Sequence, residues 1–282
     1  MRKYLMICII AAALMMPIAE SSTTKSTQNV VEDFTHTVFV EHATLTFNYN
    51  CVNVSSRLYD IYNSGDLDFN YVTLIADWGF NLPPTIKDRL DELNNEVAPT
   101  VYFDGAYSHM IGERNEQEYR DAITQAGERE TPDINIDLSI EWLGGGSLRI
   151  EVNVQNNELE DYYSRLLVYI VEKESRWNDY SGNPYHFAAL DIPVDEDLAL
   201  MSGQVNPLGE TYTFTRIWDG SALGFGDITQ DNTMVIASVS DLETGFAVQS
   251  ASGIPTSNNV VIKGQPSTPG SQPSTPSNPN NN

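Results

Sequence analysis

Between residues 134 and 154, apolar side chains fall on every second position, and no other feature of the chain narrows its fold so far. "INIDLSIEW" places Ile134, Ile136, Leu138, Ile140 and Trp142 on one face. "GGG" at 144–146 turns the chain, and "LRIEVNV" repeats the alternation with Leu148, Ile150, Val152 and Val154. A period of two belongs to a strand with one face buried, so the segment reads as a long hairpin. Further strands are expected at 165–172, 211–218, 234–240 and 245–250, with only a short turn near 196–201. Such a run of strands, joined by Gly- and Asn-rich connectors, argues for an antiparallel, Ig-like sandwich over residues 131–253.

Upstream of Pro132 the texture differs. "TVFVEHA" (37–43) reads as a buried strand, and Val54, Leu58, Ile61 and Tyr62 then recur at helical spacing up to Gly65. "FNYVTLIA" (69–76) is a second strand. "PPTIKDRLDELNN" (83–95) is a helix opened by prolines, and "APTVYFDG" (98–105) is a third strand. "SHMIG" (108–112) reads as a fourth strand and "NEQEYRDAITQAG" (115–127) as a closing helix. Residues 37–130 thus form an α/β unit of order strand, helix, strand, helix, strand, strand, helix.

The two ends read differently again. Arg2 and Lys3 precede an apolar run and a small-residue site, the pattern of a secretory signal over residues 1–21. Residues 22–36 are a polar lead-in, and 254–282, with QPSTP twice, are too poor in apolar residues to build a core. The expected location is therefore outside the cell, secreted or at the surface or envelope, with no membrane span in the mature chain. Acidic residues number 39 against 15 basic ones, a formal charge of -24. That excess repels nucleic acid and anionic lipid alike.

Of two cysteines, Cys8 lies in the signal segment, which leaves Cys51 alone and without a disulfide partner. It stands in "FNYNC" (47–51), between the first strand and the first helix. Together with "APTVYFDG" from Ala98, and with the order of elements, this stretch resembles the thioredoxin-fold superfamily. It is similar to secreted prokaryotic two-domain proteins, some outer-membrane-related, that join such a module to a β-sandwich. The resemblance implies a cis Ala98–Pro99 bond beside the 48–51 loop. It also shows a departure: Asn48 occupies the position of the nucleophilic cysteine, and only the resolving position survives as Cys51. A single thiol cannot complete dithiol exchange, so that chemistry is excluded. Peroxiredoxins place one cysteine similarly, but here Asn48 and Thr44 stand where they carry threonine and proline.

Other chemistry finds little support. His36, His42, His109 and His186 form no spaced metal pair, and "DLDFNYVTLIAD" lacks the glycine of a calcium loop. "DIPVDED" (191–197) reads as an acidic surface loop. No phosphate-loop, dinucleotide or serine-hydrolase motif occurs, and no cofactor or metal is expected. The resulting expectation is a redox-inactive binding protein that takes an extended peptide or protein partner. Its groove would be lined by Asn48, Tyr49, Ala98 and Pro99. The alternatives are a single-thiol peroxidase or thiol sensor using Cys51, and a purely structural envelope protein.

Overall fold

The computed structural model describes residues 34–77, 83–202, 211–257 and 262–263. The signal segment, most of the lead-in and most of the tail therefore lie outside the described residues. The first strand, β1 (Val38–Thr44), leads into helix α1 (Tyr49–Ser64), which Asn48 caps at one end and Gly65, in the left-handed region, closes at the other. Strand β2 (Phe69–Ile75), helix α2 (Pro84–Glu92), β3 (Thr100–Phe103), β4 (Ser108–Ile111) and helix α3 (Glu116–Gly127) follow. Asn115 and Glu118 form a reciprocal capping box at the start of α3.

The alternating segment is the hairpin its pattern requires, β5 (Ile134–Gly144) and β6 (Ser147–Asn156). Then come β7 (Tyr162–Asn178), β8 (Pro184–Leu200), β9 (Thr211–Asp219), β10 (Thr233–Asp241), β11 (Ala247–Gly253) and the two-residue β12 (Ile262–Lys263).

The expected fold class, a thioredoxin-like α/β domain followed by an Ig-like sandwich, is overturned by how these strands pair. Three helices stand against twelve strands among the described residues, so the protein is mainly β. The sheet of the first half does not end with its own four strands. It continues through β2 into β8, in the order β11-β10-β7-β8-β2-β1-β3-β4. The parallel junction rests on Thr73↔Ala188, supported by the Thr73 hydroxyl donating to the His186 carbonyl at 2.8 Å. A second, four-stranded antiparallel sheet, β12-β5-β6-β9, packs against this one.

Strands β7, β8, β10 and β11 have residues buried on both faces along their middle stretches. Leu166, Val168 and Ile170 point into a core shared with β5 and β6, while Leu167, Tyr169 and Val171 point into the core of the first half. That double burial explains the unbroken apolar run "LLVYIV" in β7, since a strand with one wet face needs only alternate apolar positions.

The longest error of the sequence reading is β8. Residues 196–201 were expected as a turn and 191–197 as a loop, yet Pro184–Leu200 is one strand. Pro193 and three acids at 195–197 mimic a loop. The strand tolerates them because its pairing with β7 shifts register at three points and the acids lie exposed.

Two buried polar ties hold the first half to β7 and β11. Arg89 of α2 grips the Glu41 carboxylate with two bonds of 2.8 and 2.7 Å, and the Tyr169 hydroxyl donates to the same carboxylate at 2.8 Å. Burial works against the Arg89 charge, but Glu41 beside it holds the guanidinium pKa well above its usual value. In the second tie, the Asp104 carboxylate meets His36 Nε2 at 2.9 Å, the Phe39 N–H at 2.9 Å and Arg129 at 3.2 Å. The Asp104 carbonyl accepts from the Ala247 N–H. Gly105 follows with φ +62°, and a Cβ there would lie 2.4 Å from the Gly245 carbonyl oxygen, so only glycine lets the β10–β11 turn approach so closely.

Candidate functional site

The loop between β1 and α1 is fastened at three points. At its start, the Thr44 hydroxyl donates to the Tyr185 hydroxyl, which in turn donates to the Leu45 carbonyl at 3.0 Å. In the middle, Asp77 at the end of β2 accepts from the Thr46 N–H at 2.9 Å and from the Thr46 hydroxyl. At its end, Asn48 does two jobs: its Oδ1 accepts from the Asn50 N–H at 3.0 Å, and its Nδ2 donates to the Ala98 carbonyl at 2.9 Å. Asn48 is thus both the cap of α1 and the bridge to the segment before β3.

The structure therefore brings together the residues singled out from the sequence: Asn48, Tyr49, Ala98 and Pro99. The Ala98–Pro99 bond is cis, and the Pro99 carbonyl accepts from the Gly112 N–H at 2.8 Å. Asn48 occupies one lone pair of the Ala98 carbonyl. What the site presents outward is apolar. Phe47 and Tyr49 flank Asn48 and are 63% and 61% exposed; Val97, next to Ala98, is 50% exposed. Ile111, paired with Thr100 in β4, is exposed too. Tyr49 also meets the exposed Tyr180 of the β7–β8 turn edge-on, with ring centroids 6.1 Å apart.

Sequence reading missed Phe47 as a site residue, along with Val97, Ile111 and Tyr180. The available signal was an aromatic pair on either side of a capping asparagine, since neither position lies on the buried face of α1. On the edge side of β3 and β4 lies an open cleft of about 390 Å³, lined by Leu93, Val97, Thr100, Tyr102, His109 and Ile111 among others.

Cys51 sits in the first turn of α1 and is fully buried. Burial pushes its thiol pKa up, against the opposing pull of hydrogen bonds from the Thr44 hydroxyl and the Leu45 backbone; the nearby Asp77 charge pushes it up further. The four histidines are dispersed. His36 joins Asp104, His109 lies by Tyr102, and His186 stacks on Tyr59 at 3.4 Å. His42 is wholly buried on β1 with neither ring nitrogen bonded, and burial lowers its pKa to about 3. Among the described residues no group of three metal-binding side chains converges, and no helix is long and apolar enough to cross a membrane.

No protein-family model matches the chain, and no curated protein matches it in sequence. In fold it is similar to HBP35 of Porphyromonas gingivalis, with a TM-score of 0.62 and 12% identity, over 83% of this chain and 81% of that one. At that identity the likeness shows the fold alone. A structural-genomics protein of Agrobacterium tumefaciens aligns over 80% of this chain and 97% of its own, with a TM-score of 0.49 and 12% identity, too low to carry an argument. The mainly-β sheet and the fold likeness to HBP35 replace the thioredoxin-superfamily and outer-membrane-related assignment drawn from "FNYNC" and "APTVYFDG".

Proposed function

We propose that this is an exported protein that binds a partner protein, presented as an extended segment, on the apolar platform formed by Phe47 and Tyr49. The observation that carries this reading is two aromatic rings, each more than half exposed, one on a loop fastened at three points and one on the first residue of the helix it leads into. Exposed aromatics on a mobile loop would cost ordering entropy on binding; here that cost has already been met by folding. Tyrosine and phenylalanine are enriched at the centres of interfaces, where one or two anchors carry most of the affinity. The partner must supply apolar side chains and must not be strongly acidic, given 39 acidic against 15 basic residues.

Burial and a raised pKa at Cys51 both work against the thiol alternative, because the exposed thiolate is the reactive species. A purely structural envelope role leaves the two rings without a use.

The test selects nine-residue peptides from a displayed library on the immobilised protein, then titrates the best binder against wild type and a Phe47→Ser/Tyr49→Ser variant. Binding should weaken about tenfold or more in the variant, the loss expected of a truncated anchor. Equal affinity for both proteins, or a library that yields no binder, overturns the reading.

A further inference from the structure

We infer that the outer edge of β9 is a docking edge for a second copy of this chain, paired antiparallel about Thr215. Strand β9 closes one side of the smaller sheet. It pairs with β6 at nine successive positions, from Gln155↔Thr211 to Ser147↔Asp219, with no shift of register. Among the described residues no strand pairs with its other side. Every second residue of β9 therefore turns its N–H and C=O outward, a row of groups ready to template another strand.

Natural edges are usually defended by shortness, proline, lysine, a bulge or a covering segment. The two edges of the larger sheet follow that rule. Strand β4 has only four residues. Strand β11 is covered: Gln249 accepts from the Thr37 N–H and donates to the Ile134 carbonyl, and the Ser250 hydroxyl donates to the Thr37 carbonyl. Among the described residues "TYTFTRIWD" has none of these devices. Ile217 on its outer face is 59% exposed, and Thr213 and Thr215 beside it are exposed as well.

Charge selects the occupant. The chain carries -24, yet β9 holds one arginine and one aspartate and is locally neutral. It is a place where two acidic copies can approach. Antiparallel pairing about Thr215 sets Arg216 opposite Phe214, Tyr212 opposite Trp218, Thr213 opposite Ile217 and Asp219 opposite Thr211. No like charges face each other, the arginine gains an aromatic neighbour, and the remaining pairs are of the kinds that stabilise sheets. The same patch serves both copies, which is the two-fold arrangement most oligomers adopt. The smaller sheet would then run on from one copy into the next.

Sedimentation equilibrium and disulfide trapping test this. Wild type should dimerise with rising concentration, and more tightly as salt screens the repulsion between the two acidic bodies. Thr215→Lys sets lysine against lysine across the two-fold and should weaken the dimer at least about tenfold, while Thr215→Val should retain it. Both variants should melt like wild type, because the position is exposed. In a Cys8→Ser background, Thr215→Cys should cross-link to itself under mild oxidation, since Cα atoms directly opposite lie about 4.5–5.5 Å apart, within disulfide reach. Thr211→Cys should not. A monomer at every concentration and salt overturns the inference. So does a dimer untouched by Thr215→Lys, or cross-linking of Thr211→Cys as fast as of Thr215→Cys.

Discussion

Glu41 and His42 are neighbours on β1, both wholly buried, and they live in opposite circumstances. Successive strand residues point to opposite faces of a sheet, so the two side chains enter different interiors. Glu41 enters the layer between the first half and β7, where Arg89 and Tyr169 supply three bonds to its carboxylate. His42 enters the layer it shares, by alternation, with Thr44, and both its ring nitrogens go unpaired. One strand thus carries a satisfied charge on one face and an unsatisfied neutral ring on the other. The difference teaches where polarity fixes the architecture. The Glu41 face needs a tie because it joins elements remote in sequence; on the His42 face packing suffices, and the polar atoms are a burden.

The largest effect should come from breaking the satisfied side. Glu41→Ala leaves the largely buried Arg89 guanidinium with Glu92 alone, at 3.0 Å, and the Tyr169 hydroxyl without its acceptor; removing one partner of a buried pair costs about 3–5 kcal/mol. That is a large part of the usual ~5–15 kcal/mol stability of a domain, and urea denaturation should reveal it at once. The comparison sharpens with the double variant Glu41→Leu/Arg89→Met. Replacing the pair by apolar side chains removes both charges and leaves only the neutral Tyr169 hydroxyl unpaired, so the double variant should be more stable than Glu41→Ala. If the two are equally unstable, the tie acts by packing rather than by charge.

The unsatisfied side should show itself in acid. His42 has a folded pKa near 3 against an ordinary value near 6.5. Above pH 6.5 neither state binds the proton and the ring costs nothing through linkage. Below it the unfolded chain gains a proton that the folded chain refuses, so stability falls with pH until the folded pKa is reached. The slope approaches about 1.4 kcal/mol per pH unit, which amounts to roughly 2 kcal/mol between pH 6.5 and 4.5. His42→Leu should remove that component and be at least as stable as wild type at pH 7. Carboxylates add their own acid dependence to both proteins, so the measurement is the difference between the two curves. A constant difference from pH 7 to 4.5 would falsify the account of His42.

The contrast on β1 also marks what the sequence made legible. "TVFVEHA" announces a buried strand. Period two at 134–154 and helical spacing after Val54 fixed β5, β6 and α1 within a few residues, because those signals are local. The partner of Glu41 was not legible: Arg89 lies 48 residues away and Tyr169 lies 128 away. Nor was β8, whose proline and acids carry the local marks of a loop while its place in the sheet is set by β7 and β2. At the site, the meeting of Asn48 with Ala98 was anticipated through a resemblance whose fold the structure overturns. The exposed rings beside it were not anticipated, since exposure depends on what the rest of the chain leaves uncovered.

Asn48 carries the contrast to the surface and should give the smallest effect. Its side chain is satisfied at both ends, yet it is partly solvated, so water can replace whatever is lost. Asn48→Ala removes the cap of α1 and the bond to Ala98 together; loss of a cap costs typically about 1 kcal/mol. Asn48→Asp separates the two roles. Its carboxylate still accepts from the Asn50 N–H and lies at a helix N-terminus, where negative charge is favoured, but it has no N–H to give the Ala98 carbonyl. If the cap dominates, Asn48→Asp should hold most of the wild-type stability while Asn48→Ala falls by about 1 kcal/mol. If the bridge to Ala98 dominates, the two variants should fall together, and aspartate further, because two oxygens then face each other at that point. Chemical denaturation ranks the three proteins, and peptide binding by the same variants shows whether the bridge also keeps Phe47 and Tyr49 in place.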